Sequence, residues 1–238
     1  MPRNGVMVIL ESYIAKLNHR SQWTASNTIY PTQQNFEGIL NSLVKNHGRK
    51  ITLEDVNKEN YQQYKRIREG VEFDTFLAQY STVYHMWGLY YLDANDVFFI
   101  TPLALQFYRK EITYQGIMLL FCSRYQFSKP QVHRQPPGPF RPSISLIQVF
   151  KALSQNAMDA KMSTFEINLF GCYFTEEGDV EGFLEILKSH RSGNESIDPK
   201  FVSRTTETNA MKSIIRMMKI AEIIHKNKKN GKYELVEK

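Results

Sequence analysis

Lys212, Arg216 and Lys219 are spaced so that one face of a helix would gather them. At about 100° per residue they fall within about 60° of one another, and Asn209 lies just beyond. Ammonium and guanidinium groups neutralise phosphates, and arginine and asparagine also offer the paired donors and acceptors that match base edges in the major groove. That arc stands roughly a right angle or more from Met211, Ile215 and Met218, so the helix would pack one side and present the other. Residues 227–232, Asn-Lys-Lys-Asn-Gly-Lys, follow closely, and from a turn Lys228, Lys229 and Lys232 would reach neighbouring phosphates. A basic face at this spacing is otherwise an ordinary solvated surface. The hairpin pattern directly after it favours the binding reading.

The same chemistry is thinner elsewhere. The polar face of residues 72–87 holds Glu72, Asp74, Thr75, Gln79, Ser81, Thr82 and His85, with no Lys or Arg. Gln79 and Thr82 are candidates to read bases, but two acids near the positive end of a helix stabilise it and repel phosphate. Lys65, Arg66 and Arg68 would then supply backbone contacts, and Lys129, Arg134 and Arg141 are the only charges of a proline-rich arm.

Hydrolytic chemistry has little support. There is no Gly-x-Ser-x-Gly, no phosphate-binding glycine loop, no His-Glu-x-x-His and no Cys-x-x-Cys, and the histidines never fall at metal-ligand spacing. A metal-dependent nuclease needs two acids to hold Mg²⁺ and a lysine beside the attacking water. Asp179 with Asp198-Pro199-Lys200, and the isolated Asp159-Ala160-Lys161, match only in letters. Pro199 breaks the strand that would aim the first set, and Asp159 lies between helices. No catalytic residue, metal ligand or cofactor is assigned to this chain.

The elements that position these residues are mainly helices with small β-hairpins, an α+β chain. Residues 35–44 carry apolar side chains at helical spacing closed by Gly48, and Thr52-Leu53-Glu54-Asp55 fits a capping box opening the next helix. Phe73, Phe76, Leu77, Tyr80, Val83, Tyr84 and Trp87 form another stripe, which Gly88 ends. Residues 89–92 and 97–100 then flank Asp93-Ala94-Asn95-Asp96 as a hairpin, and Thr101-Pro102 starts a helix. Helix, tight hairpin, helix is the order that ends a winged-helix domain. Further helices are expected at 144–153, around 164–170 and at 180–190, with Ile144, Ile147, Val149 and Phe150 facing a core. A last helix over 205–219 leads to strands at 220–225 and 233–236. The expected division is 1–125, a helical part with a winged-helix module; 126–143, a connector; 144–198, a helical middle; and 199–238, a second winged-helix-like module.

Composition bounds these readings. With 238 residues, 42% hydrophobic and 23% charged, the chain is an ordinary globular one rather than disordered, collagenous or coiled coil. A net charge of +6 admits a polyanionic partner without demanding one. Two cysteines in apolar segments are expected as buried thiols in a reducing compartment. The apolar run 117–122 is far short of the ~20 residues a membrane helix needs, and residues 6–10 are too few for a signal core. A cytoplasmic protein with no membrane partner is expected.

With the elements placed, their order resembles the DNA-recognition half of AlwI-type Type IIS restriction and nicking endonucleases. The resemblance runs from Pro31-Thr32-Gln33-Gln34-Asn35-Phe36 through Trp87-Gly88-Leu89 and Phe98-Phe99-Ile100-Thr101-Pro102-Leu103-Ala104-Leu105. It continues with Tyr125-Gln126-Phe127 and Pro130, Arg141-Pro142, Met162-Ser163-Thr164-Phe165-Glu166-Ile167 and Arg216-Met217-Met218-Lys219. The resemblance implies sequence-specific binding of double-stranded DNA within a restriction–modification defence system. In that family the cleavage domain follows the recognition half, and this chain stops before one would begin. Cleavage and its Mg²⁺ are therefore expected from a domain or a separate nuclease subunit outside the chain. A winged-helix transcription regulator and an interaction protein that binds no DNA stand as alternatives.

Overall fold

Periodic apolar residues fold the chain mainly into helices in a computed structural model, which describes residues 33–67, 70, 72–73, 88–95, 97–124, 141–173, 180–194, 197, 202 and 205–237. By contact they divide into two units, Asn27–Phe121 and Cys122–Lys238.

In the first unit, helix α1 (Gln33–Lys45) buries Phe36, Ile39, Leu40 and Leu43, the stripe its spacing dictates. Gly48, at φ +75°, ends it in a conformation that costs a side chain energy. Strand β1 (Arg49–Lys50) precedes helix α2 (Leu53–Ile67). Thr52 Oγ1 accepts the Asp55 N–H at 3.2 Å and donates its own proton to Asp55 Oδ2 at 2.7 Å. The shorter acid thus takes the cap hydroxyl, where a glutamate would reach back to the cap's backbone N–H. Buried Asn46 ties the helices together, donating to Glu59 at 2.6 Å and accepting from Arg49 at 2.6 Å.

Strands β2 (Tyr90–Leu92) and β3 (Val97–Ile100) form the expected antiparallel hairpin, with Tyr91 opposite Phe99. The Asp93 carboxylate closes its turn by accepting the N–H groups of Val97 and Asn95, which hold its pKa below the usual carboxylate range. Strand β1 pairs with the other side of β3, giving the order β1-β3-β2. Helix α3 (Pro102–Tyr108) begins as its residues dictate, with Thr101 Oγ1 accepting the Ala104 N–H, and helix α4 (Tyr114–Arg124) follows. Most of the expected helix over 72–87 lies outside the described residues, as do 125–140 of the proline-rich segment.

The second unit holds α5 (Pro142–Gln155), α6 (Thr164–Tyr173), α7 (Val180–Arg191), α8 (Thr205–Ile220) and a hairpin of β4 (Ile224–Lys226) and β5 (Tyr233–Leu235). Two sequence expectations shift here. Leu146, Val149, Phe150 and Leu153 form the buried stripe of α5, whereas Ile147 lies about a third of a turn and Ile144 about half a turn from its centre, and both are half-buried. Ile220 ends α8 rather than opening a strand. Glu222 turns the chain at φ +53°, so the strand starts at Ile224. The described residues are thus mostly helical with two small antiparallel sheets. Cys122 is a buried free thiol, pushed up to about 12 by burial. No described helix is long and apolar enough to cross a membrane.

Candidate nucleic-acid interface

Helix α8 sorts its residues as the wheel predicts. Met211, Ile214, Ile215, Met217 and Met218 are buried, while Lys212, Arg216 and Lys219 are exposed. Lys212 and Lys219 meet no carboxylate among the described residues. Asn209 lies on the same helix, its side chain outside the described set. The buried side is seated by a close crossing with α6. A Cβ at Gly171 would collide with Met211 Cγ and stand 2.9 Å from its Sδ. This contact fixes how α8 lies on its neighbour, and therefore where the basic ridge points.

The lysines of the following hairpin divide into two kinds. Lys228 and Lys229 sit exposed in the turn, shaped by Asn227 Oδ1 accepting the Lys229 N–H at 2.9 Å and Asn230 Oδ1 accepting that of Lys232 at 3.0 Å. Lys232 is different: its Nζ lies 2.9 Å from Asp159, whose pKa this contact lowers. Its charge is committed within the fold. Glu234 on β5 likewise takes Lys161 at 3.1 Å, His225 at 2.9 Å and Asn227 at 3.0 Å, and Lys161 first, then Asn227, hold its carboxyl below the usual range. Met162 and Tyr233 exchange two backbone hydrogen bonds, at 2.9 and 2.7 Å, so the hairpin is bound to the 159–162 loop.

That loop is clamped in turn. Arg191 donates to the carbonyls of Asp159 and Lys161 at 2.6 Å each and to Glu166 Oε1 at 2.7 Å. Glu166 accepts the Ser163 N–H at 2.6 Å while Ser163 Oγ accepts the Glu166 N–H at 3.1 Å. This is a full capping box, and the Ser-x-x-Glu spacing that signals it stands in the sequence. Burial alone would raise the Glu166 pKa, but Arg191 and Ser163 outweigh it and the net shift is downward.

The Asp159-Ala160-Lys161 look-alike does not assemble. Asp159 and Lys161 point to separate partners, Lys232 and Glu234, and no group of described His, Cys, Asp or Glu residues is arranged to hold a metal ion. Lys161, His225 and Glu234 do line an open groove of about 670 Å³ with Phe150, Leu235 and Val236. Asp179, Asp198 and Lys200 lie outside the described residues. So do Arg68, Gln79, Thr82, Lys129 and Arg134, and the side chain of Arg66. Lys65 is exposed on α2, and Arg141 is exposed at the N-cap of α5.

No family model and no curated protein sequence matches the chain. Among solved structures, the BpuJ1 endonuclease binding domain, in complex with pyrene- and phenanthrene-modified DNA, is similar over 83% of this chain and 74% of that one, with a TM-score of 0.62 and 13% sequence identity. At that identity the likeness is one of fold.

Proposed function

We propose that this chain binds double-stranded DNA in a sequence-specific manner as the recognition part of a Type II, IIS-like restriction endonuclease, cleavage and its Mg²⁺ being supplied by a domain or subunit outside the chain. The observation that carries the reading is the ridge of Lys212, Arg216 and Lys219, exposed along a helix whose opposite side is buried and which leads into a lysine-tipped hairpin. Two further observations support it. The structural neighbour is a DNA-binding part of an endonuclease. The first unit runs helix, strand, helix, then hairpin, with sheet order β1-β3-β2, an order that a winged-helix module would also have. Such modules, over 1–125 and 199–238 around the helical middle 144–198, belong to the proposal, as does a defence role. Asn209, Lys228 and Lys229 join the ridge. Lys65, Arg66, Arg68, Gln79, Thr82, Lys129, Arg134 and Arg141 are proposed as secondary contacts.

The test is selection from random duplexes followed by gel shift. A non-palindromic consensus is expected, and Lys212→Ala/Arg216→Ala/Lys219→Ala should weaken binding to it at least tenfold, each phosphate or base contact being worth about 1 kcal/mol or more. A palindromic consensus would point to a dimeric regulator instead, and an unchanged affinity would remove the ridge from the interface.

A further inference from the structure

We infer that the outer face of the β1-β3-β2 sheet is a second nucleic-acid site, which takes an unstacked base of a single strand on the ring of Tyr91. This rests on other residues than the ridge of α8.

Strand alternation sets up the face. Tyr90, Phe98 and Ile100 turn inward and are buried, so Tyr91, Val97 and Phe99 turn outward. The Tyr91 ring is stacked on Phe99, with centroids 5.5 Å apart and planes 22° from parallel, yet remains 49% exposed. His47 meets Phe99 edge-on at 5.6 Å, and its Nδ1 accepts the Ile100 N–H at 3.2 Å, which fixes that ring. Three rings are therefore held in place with one left largely open, the preorganised form of a stacking platform.

The surrounding charge selects the occupant. Lys50 lies opposite Val97 on this outer face and Lys45 ends α1 two residues before His47; both are exposed, and neither meets a carboxylate among the described residues. Of the described acids nearby, Asp93 aims its carboxylate at the Val97 and Asn95 N–H groups and Glu59 meets Asn46 and Arg49. An aromatic surface with exposed lysines that meet no described carboxylate suits a polyanion that carries flat rings. A duplex cannot use it, because each base face is covered by its neighbours; an unpaired base can.

The experiment is fluorescence anisotropy with the full chain, a labelled oligo-dT of about ten nucleotides, and an abasic strand of the same length. Tyr91→Ala, at an exposed position, should weaken dT binding roughly tenfold and leave abasic-strand binding unchanged. Tyr91→Trp should retain affinity, with its indole emission quenched as dT binds. The proposal is overturned if Tyr91→Ala has no effect, if the abasic strand binds as tightly as dT, or if dT does not bind. It is also overturned if Lys212→Ala/Arg216→Ala/Lys219→Ala abolishes dT binding, which would place the strand on the ridge. Loss of self-association in Tyr91→Ala without dT binding would make the face a contact between copies. Duplex affinity should be unmoved by Tyr91→Ala, so failure of either site leaves the other standing.

Discussion

Glu166 is 4% exposed and ionised, and two donors make that tolerable: the Arg191 guanidinium and the Ser163 N–H. Removing one partner of such a pair strands a buried charge, which costs about 3–5 kcal/mol. Arg191→Ala is therefore expected to lower stability by about 3 kcal/mol in urea melts, since Arg191 also anchors the Asp159 and Lys161 carbonyls. The pH dependence follows from the direction of the shift. The folded Glu166 pKa is lowered below its ordinary 4.5, so its contribution is complete above that value and disappears as pH falls through the folded pKa. Thermal melts should show native stability falling below about pH 5, and Glu166→Gln, though less stable at neutral pH, should lose less over the same acid range. A parallel acid slope in the variant would contradict this account. The pair was half legible beforehand. Ser163-x-x-Glu166 reads as a cap, but nothing in the sequence brings Arg191 to it across 25 positions.

Helices α1 and α8 were legible because their apolar spacing decides which side packs, and both bury the residues their patterns name. Strand β1 was not legible: it is two charged residues, Arg49 and Lys50, made a strand by pairing with Phe98 and Val97 far along the chain. The start of β4 was misplaced because the apolar run continues from Ile220, and the turn at Glu222 has no glycine to announce it. The same backbone state occurs at Ala157, φ +55°, just after α5. A side chain there costs about 1 kcal/mol, so Ala157→Gly should stabilise the chain and raise its melting temperature by about 2–4 °C. A lower melting temperature would mean that the methyl group packs usefully. Gly171→Ala should do the opposite. Its Cβ would press into Met211 near the root of that side chain, and α6 and α8 must separate at a cost of about 1–3 kcal/mol. Because this crossing seats the ridge, duplex affinity should fall with it, although no DNA-facing atom changes.

For the whole molecule, a net charge of +6 is too small to identify an interface; what matters is how many cations remain uncommitted. Lys161, Arg191 and Lys232 are neutralised internally by Glu234, Glu166 and Asp159, while Lys212, Lys219, Lys228 and Lys229 reach solvent without a described carboxylate partner. Each phosphate neutralised releases condensed counterions, so the logarithm of the binding constant falls with the logarithm of salt concentration by about 0.9 per contact. Lys228→Ala/Lys229→Ala should therefore flatten that slope by about 2, and Lys232→Ala, one residue beyond the same turn, should leave it nearly unchanged. The sequence treats these lysines alike, and only the fold distinguishes them through Asp159, 73 positions away. Equal flattening in both variants, measured by filter binding across a salt series, would mean that DNA draws Lys232 off Asp159 and that the ion pair is no brace of the hairpin in the complex.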